Sequence, residues 1–275
     1  MKQKDKNKKN SGAPAFEEYY SKLFGDRWTA LKKSLYGEAD KVEYNAGGKE
    51  SYFLDSASVR AACSLPLKNA ETILDMCAAP GGKTIVLASS MEQTATLLSN
   101  ERSADRKTRL LHSVQNCLSE AVQKNVTVIC KDGATLCLSK NNQFDRILLD
   151  APCSSERHVL LDENYLKDWT PSRIRTLSMA QWALLSSAWR MLKTDGYMVY
   201  STCALNPEEN DNQIKKLLKK FDDVEVCEGE IQFSVEKFCK VNLPEGEKTE
   251  YGRHVLPDRA NGAGPLYFSL LHKKT

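Results

Sequence analysis

Apolar residues return along this chain in two rhythms. Between residues 16 and 36 they fall at Tyr20, Phe24, Trp28, Leu31 and Leu35, a helical spacing broken near Gly25-Asp26, which predicts two short helices. Residues 37–49 read as a polar loop around Gly47-Gly48, and residues 51–67 as a short helix ended by Pro66. Beyond residue 70 the texture changes. Short apolar runs at 72–76, 94–101, 125–132, 144–152, 196–202 and 266–273 read as strands. Helical stretches at 84–91, 103–118, 175–192 and 207–221 lie between them. In the runs ILLD and YMVYST the hydrophobicity is continuous rather than alternating, as in strands covered on both faces. Strand–helix alternation of this kind predicts an α/β fold, a parallel sheet with helices on both faces. No internal repeat is visible. The pattern divides the chain into a tail (1–15), a helical N-terminal extension (16–67) and one α/β domain (68–275).

Composition narrows this further. The chain has 275 residues and a net charge of +3, of which residues 1–10 carry +4 with five Lys and one Asp, leaving the body at −1. A folded body without excess positive charge can hold a polyanion only through a local patch or the tail. The start, MKQKDKNKKN, lacks the apolar core of a secretory signal and the Arg/Ser-rich look of a transit peptide, so a cytoplasmic protein is expected, with mitochondria as the lesser option. No window approaches the roughly 18 apolar residues of a membrane span, and no membrane contact is expected. The nine Cys form no C-x-x-C and sit beside no His cluster, so no metal site is expected. So many thiols fit a reducing compartment, most of them acting as small buried apolar residues.

The first candidate chemistry lies at DMCAAPGGKT (75–84), a glycine turn between a strand and a helix, where open α/β sheets bind ligands. Gly82-Lys83-Thr84 fits the end of a phosphate-binding loop, but its required first glycine falls on Cys77, and no G-x-G-x-x-G is present. A nucleoside site remains. Glu101 closes the second strand, where a carboxylate can accept hydrogen bonds from both ribose hydroxyls. Asp132 closes the third, placed for an adenine amino group, and Asp150 closes the fourth. Four such strand ends around one crevice suit S-adenosylmethionine; the alternative is that these acids only cap helices and turns. Cys153 follows the fourth strand and Cys203 the fifth, so adjacent parallel strands would carry both thiols to the same rim.

CAAPGGKT, LDAPCSS and YSTCALNPEEN, in this order, resemble the motifs of the Sun/Nop family of RNA (cytosine-5) methyltransferases, over about residues 52–275. The resemblance implies a Rossmann-like class I methyltransferase fold, with a mostly parallel, doubly wound sheet and an antiparallel C-terminal strand, and S-adenosylmethionine as cofactor. It implies that Cys203 is the nucleophile and that Cys153 assists product release. DNA cytosine methyltransferases instead attack with the Cys corresponding to Cys153, so which thiol attacks is an open question. The cofactor contacts it implies are Cys77, Ala78, Ala79, Pro80, Gly81, Gly82, Lys83, Glu101, Arg106, Asp132, Gly133 and Asp150. Lys83 would meet the methionine carboxylate and Arg106 would brace Glu101.

The chemistry asks for such residues. Thiolate addition to cytosine C6 makes C5 nucleophilic, a proton or hydrogen bond at N3 assists, and a base then removes the C5 proton. Asp150 could serve at N3 if protonated; Asp150 or a water could be the base. The base must be unpaired or flipped out of its stack. Residues 155–158, SERH, resemble the mitochondrial rRNA branch of the family more than the bacterial one; Arg157 and His158 are candidates for the target nucleotide and Arg173 and Arg175 for phosphate, the alternative being a charged surface loop that is only solvated. RNA, either rRNA or tRNA, is the implied partner. It would be recognised by the tail, by Arg27, Trp28, Lys32 and Lys33, by residues 153–175, or by a partner protein; the enzyme itself is expected to be a monomer. Two other functions compete: methyl transfer to a small molecule or protein, and RNA binding without catalysis.

Overall fold

The computed structural model describes residues 11–275. The predicted flexible tail lies outside these residues up to position 10, but its last part does not. Helix α1 (Gly12–Phe24) already starts at Gly12, because Ala15 and Phe16 are buried. A 3-10 turn at Gly25–Arg27 leads into α2 (Trp28–Tyr36), the break expected near Gly25. Phe16, Tyr20 and Trp28 pack with Trp169 in one aromatic cluster, with Phe16 edge-on to Trp169 at 5.2 Å and Tyr20 stacked on Trp28 at 5.3 Å. Each such pair adds about 1 kcal/mol beyond its buried area. This cluster docks the N-terminal helices onto residues 159–174.

The next segment departs from expectation. Residues read as loop and helix form a hairpin, β1 (Lys41–Tyr44) against β2 (Tyr52–Asp55), antiparallel. Only then does α3 (Ser56–Ala62) begin, its N-terminus capped by Asp55, which accepts from Ala57 N at 2.8 Å.

The main sheet follows the α/β pattern: β3 (Thr72–Asp75), α4 (Gly82–Ser90), β4 (Thr96–Asn100), α5 (Ala104–Cys117), α6 (Glu120–Gln123), β5 (Val126–Ile129), α7 (Gly133–Leu136) and β6 (Phe144–Asp150). Then come α8 (Glu156–Leu161), α9 (Glu163–Lys167), α10 (Pro171–Met191), β7 (Leu192–Thr202), α11 (Asp211–Lys220), β8 (Val224–Cys227), β9 (Glu247–Lys248), β10 (Arg253–Val255) and β11 (Leu266–Lys273). The strand order is β5-β4-β3-β6-β7-β11-β10-β9, with β8 also on β11. β5 through β7 run parallel, and β11 pairs antiparallel with β7. This is the Rossmann-like arrangement expected, including the antiparallel C-terminal strand.

One core layer, with Ile73, Leu87, Leu97 and Leu148, lies under α4 and α5; the other, with Leu74, Ile147, Trp189 and Tyr200, lies under α10 and α11. Adjacent residues of β3 and β6 thus feed opposite layers, the double burial that continuous apolar runs encode. Cys63, Cys117 and Cys239 are buried in the core, and Cys77, Cys137, Cys203 and Cys227 are part-buried and pack against it, so most thiols do act as apolar filling; all nine are free.

Candidate active site

The register of β6 and β7 builds the site. Asp150 pairs with Ser201, and Ala151 N donates to Ser201 O at 2.8 Å, so the two chains leave the sheet together. Three residues past Asp150 and two past Ser201, the thiols meet: Cys153 Sγ and Cys203 Sγ lie 2.7 Å apart. Cys203 N donates to Cys153 Sγ at 3.2 Å, and Cys203 Sγ donates to Ser155 Oγ at 3.3 Å. The hydrogen bond with Cys203 and burial push the Cys153 thiol well above its ordinary range, so Cys153 keeps its proton. Ser155, at φ 56°, holds the left-handed region at the start of α8, an uncommon conformation for a side-chain-bearing residue.

Asp150 is bound from two sides. Its Oδ2 accepts from Lys83 Nζ at 2.6 Å and its Oδ1 from Ser201 Oγ at 2.8 Å. Burial pulls the Lys83 ammonium down, but the charges of Asp150, Asp75 and Cys203 outweigh it, and Lys83 is raised on balance. Both Asp150 oxygens thus already have a partner, and Lys83 brings a charged donor to the pair.

The glycine turn ends on the same crevice. Gly81 adopts φ 119°, and a Cβ there would lie 2.9 Å from Ser113 Cβ, so only glycine fits. Thr84 Oγ1 donates to Asp75 Oδ2 at 2.6 Å, closing the turn across its base. Arg106 Nη2 donates to Ala79 O at 2.7 Å and its Nη1 lies 3.4 Å from Glu101 Oε2, the bracing expected. Glu101 is buried. Its Oε1 accepts from Ser103 N, while Oε2 has no hydrogen-bond partner. A buried acceptor beside a glycine turn is what a nucleoside's ribose diol would satisfy, so these residues fit S-adenosylmethionine.

A cavity of about 640 Å³ joins these groups, lined by Cys77, Ala79, Lys83, Arg106, Asp150, Cys153, Arg157, His158 and Cys203, among others. A smaller one of about 240 Å³ adjoins it, with Ala78, Pro80 and Gly82 in its wall. Asp55 and Ser58, absent from the sequence reading, line both. Gly81, Glu101, Asp132 and Gly133 line neither. Asp132 is exposed and caps α7 through Ala134 N. Gly133 is buried, where a Cβ would meet Met76 and Leu184. Among the described residues no group of three or more His, Cys, Asp or Glu could hold a metal ion.

The expected RNA contacts divide. His158 is exposed at the cavity, its ring 5.0 Å from Tyr165. Arg157 lines the cavity, but its Nη2 donates to Ser34 O and Gly262 O, tying α2 to the C-terminal loop. Arg173 lies over the Tyr165 ring, and Arg175 is exposed. Trp28 cannot stack on a base, because it is only 2% exposed within the aromatic cluster. Arg27 is held by Asp258 and Glu247, and Lys32 by Glu17. Of that group only Lys33 stands exposed without an ion pair among the described residues.

Comparison with known proteins identifies the family. A family model described as 16S rRNA methyltransferase RsmB/F matches residues 62–272. The chain is 32% identical over 82% of its length to the tRNA (cytosine(34)-C(5))-methyltransferase, mitochondrial, of Danio rerio. It is 37% identical over 68% of its length to ribosomal RNA small subunit methyltransferase F of Aliivibrio salmonicida (strain LFI1238). It spans 61% and 40% of those relatives' lengths. A methyltransferase homolog from Pyrococcus horikoshii superposes with a TM-score of 0.73 at 22% identity, covering 95% of each chain, which shows the fold. The match over most of the chain bears out the resemblance read from its three motifs: this protein belongs to the RsmB/F family of methyltransferases, the Sun/Nop group.

Proposed function

We propose that this protein is an S-adenosylmethionine-dependent RNA (cytosine-5) methyltransferase acting on rRNA or tRNA. The observation that carries the reading is the meeting of Cys153 and Cys203 in one cavity with Lys83 and Asp150. Relatives named as rRNA and tRNA methyltransferases support the substrate class. Glu101, Arg106 and the 77–83 turn would hold the cofactor, which when bound supplies an electrophilic methyl group.

The residues divide the remaining work. Cys203 adds to C6 of a flipped-out cytosine. Lys83 is the group poised to donate a hydrogen bond as charge develops on the ring, and Asp150 orients Lys83. A protonated Asp150 at N3, the expectation from the sequence, is the alternative donor. After methylation Asp150 or a water removes the C5 proton, and the bond between Cys203 Sγ and C6 breaks. Cys203, which gave its thiol proton to solvent before attack, leaves C6 as a thiolate; Cys153, still protonated and against the departing sulfur, donates its proton to it and is reprotonated by water. A flipped base also explains why the cavity opens beside the exposed His158. We place the protein in the cytoplasm, and fractionation of tagged cells tests that placement.

The test is methyl transfer from labelled cofactor to total RNA, followed by bisulfite sequencing with and without the gene. A single protected cytosine, lost in Cys203→Ala, is expected. Methyl transfer that proceeds without RNA, or in both Cys variants, would overturn the reading.

A further inference from the structure

Behind the two sulfurs lie two carboxylates with no role in the reaction so far. Glu156 and Glu209 are both 0% exposed. Glu156 Oε2 accepts from Leu205 N at 3.0 Å, two residues beyond Cys203. Its Oε1 accepts from Ser154 Oγ, next to Cys153, from Asn206 Nδ2 at 3.2 Å, and from the Tyr20 hydroxyl of α1. Glu209 repeats the pattern in reverse. Its Oε2 accepts from Ser154 N at 2.9 Å and Gln181 Nε2 at 2.7 Å, and its Oε1 from Asn206 Nδ2 at 2.7 Å. Gln181 Nε2 also donates to Pro152 O at 2.9 Å. Each carboxylate therefore takes bonds from both cysteine loops, a carboxylate of one loop gripping the backbone of the other.

We infer that Glu156 and Glu209 are positioning residues that set the separation of the Cys153 and Cys203 sulfurs, and that Tyr20 makes the N-terminal helix a working part of the site. Two direct bonds also cross between the loops, Cys203 N to Cys153 Sγ and Asn206 Nδ2 to Ser154 Oγ at 3.3 Å, and the carboxylates supply the charged ones. Neither cysteine loop is part of a helix or strand between Ala151 and Ser155 or between Cys203 and Asn210, so these side chains replace the missing ladder. Burial and the charge of Glu209 raise Glu156, and the donors from Ser154, Tyr20 and Leu205 offset only part of that rise. Tyr20 is the donor in this set that comes from the N-terminal helices, across 136 residues of chain. Its ring is fixed by Phe16 and Trp28, so its hydroxyl arrives already oriented.

The inference deepens the function proposed above, and its test separates the two. Phenylarsine oxide condenses with two adjacent thiols, releasing water and forming two As–S bonds, and needs neither RNA nor cofactor. The full-length protein should bind it through Cys153 and Cys203, with Cys153→Ala as the control. Tyr20→Phe keeps the ring and removes the bond to Glu156. It should weaken arsenical affinity about tenfold and lower kcat by roughly ten- to a hundredfold, as small displacements at reacting atoms do, with KM for the cofactor unchanged. Glu156→Gln, which keeps an acceptor for Leu205 N, should retain more of both than Glu156→Ala. Unaltered arsenical affinity in Tyr20→Phe and Glu156→Ala would overturn the inference. So would equal losses in the Gln and Ala variants. Loosened thiols in a protein that methylates no RNA would uphold the inference and refute the function.

Discussion

Asp75 offers a stability measurement whose size follows from its surroundings. It closes β3 beneath the glycine turn, fully buried, with Oδ2 bonded to Thr84 and Oδ1 without a partner. Burial pushes it from 3.8 to about 7; the Thr84 bond opposes, as does Lys83, while Asp150 and Glu101 add to the rise. A carboxyl whose folded value is raised gives stability that is complete below the unfolded value and is lost as pH climbs through the folded one. The loss here runs from about pH 4 to about pH 7. At 1.36 kcal/mol per unit, linkage puts the part falling between pH 5 and pH 8 at about 3 kcal/mol. That is a large share of the 5–15 kcal/mol typical of a domain, roughly speaking. Asn mimics the neutral acid, so Asp75→Asn should escape the decline. Urea unfolding of both proteins across this range should show their stabilities diverging by that amount, the variant gaining as pH rises. Parallel curves would refute the argument that an uncompensated charge is forced onto this position.

Other outcomes follow from neighbouring geometry. Asp145 accepts from Thr72 N, Glu71 N, Thr72 Oγ1 and Lys193; burial alone would raise it, but these donors hold it at about 2 against 3.8. Its stabilisation is present above pH 4 and lost as pH falls toward 2; discounted for solvent screening it is on the order of 1 kcal/mol, and Asp145→Asn should flatten that acid limb in urea melts. Gly81→Ala forces a side chain into φ 119° and against Ser113, and should cost about 1–3 kcal/mol in thermal unfolding. Calorimetry should also show weaker S-adenosylmethionine binding in that variant, since the turn must shift.

Much of the sheet was legible because the central parallel strands β3, β6 and β7 are covered on both faces and announce themselves as apolar runs. The site was legible for a related reason: strand ends in an open parallel sheet converge, so Asp150, Cys153 and Cys203 could be brought together from order alone. The hairpin was not. Lys41–Tyr44 and Tyr52–Asp55 are four residues each, and β1 alternates charged with apolar positions too briefly to register. Tyr44 stacks on Phe238, far along the chain, a contact the local sequence does not announce. Trp28 looked available to RNA because nothing local says that Phe16, Tyr20 and Trp169 enclose it. Helix α11 starts at Asp211, later than the 207 its composition suggests. Glu209 and Asn210 turn inward first, to serve Ser154 and Thr202. A run such as PEEN reads as a solvated helix start, and only tertiary structure reveals a buried carboxylate in it.

The most direct test concerns which sulfur forms the bond. An RNA substrate carrying 5-fluorocytidine at the target position, incubated with S-adenosylmethionine, can be methylated but has no C5 proton to lose, so the adduct persists. Mass spectrometry of its peptide should place the nucleotide on Cys203, with Cys153 unmodified; a nucleotide on Cys153 would contradict the account.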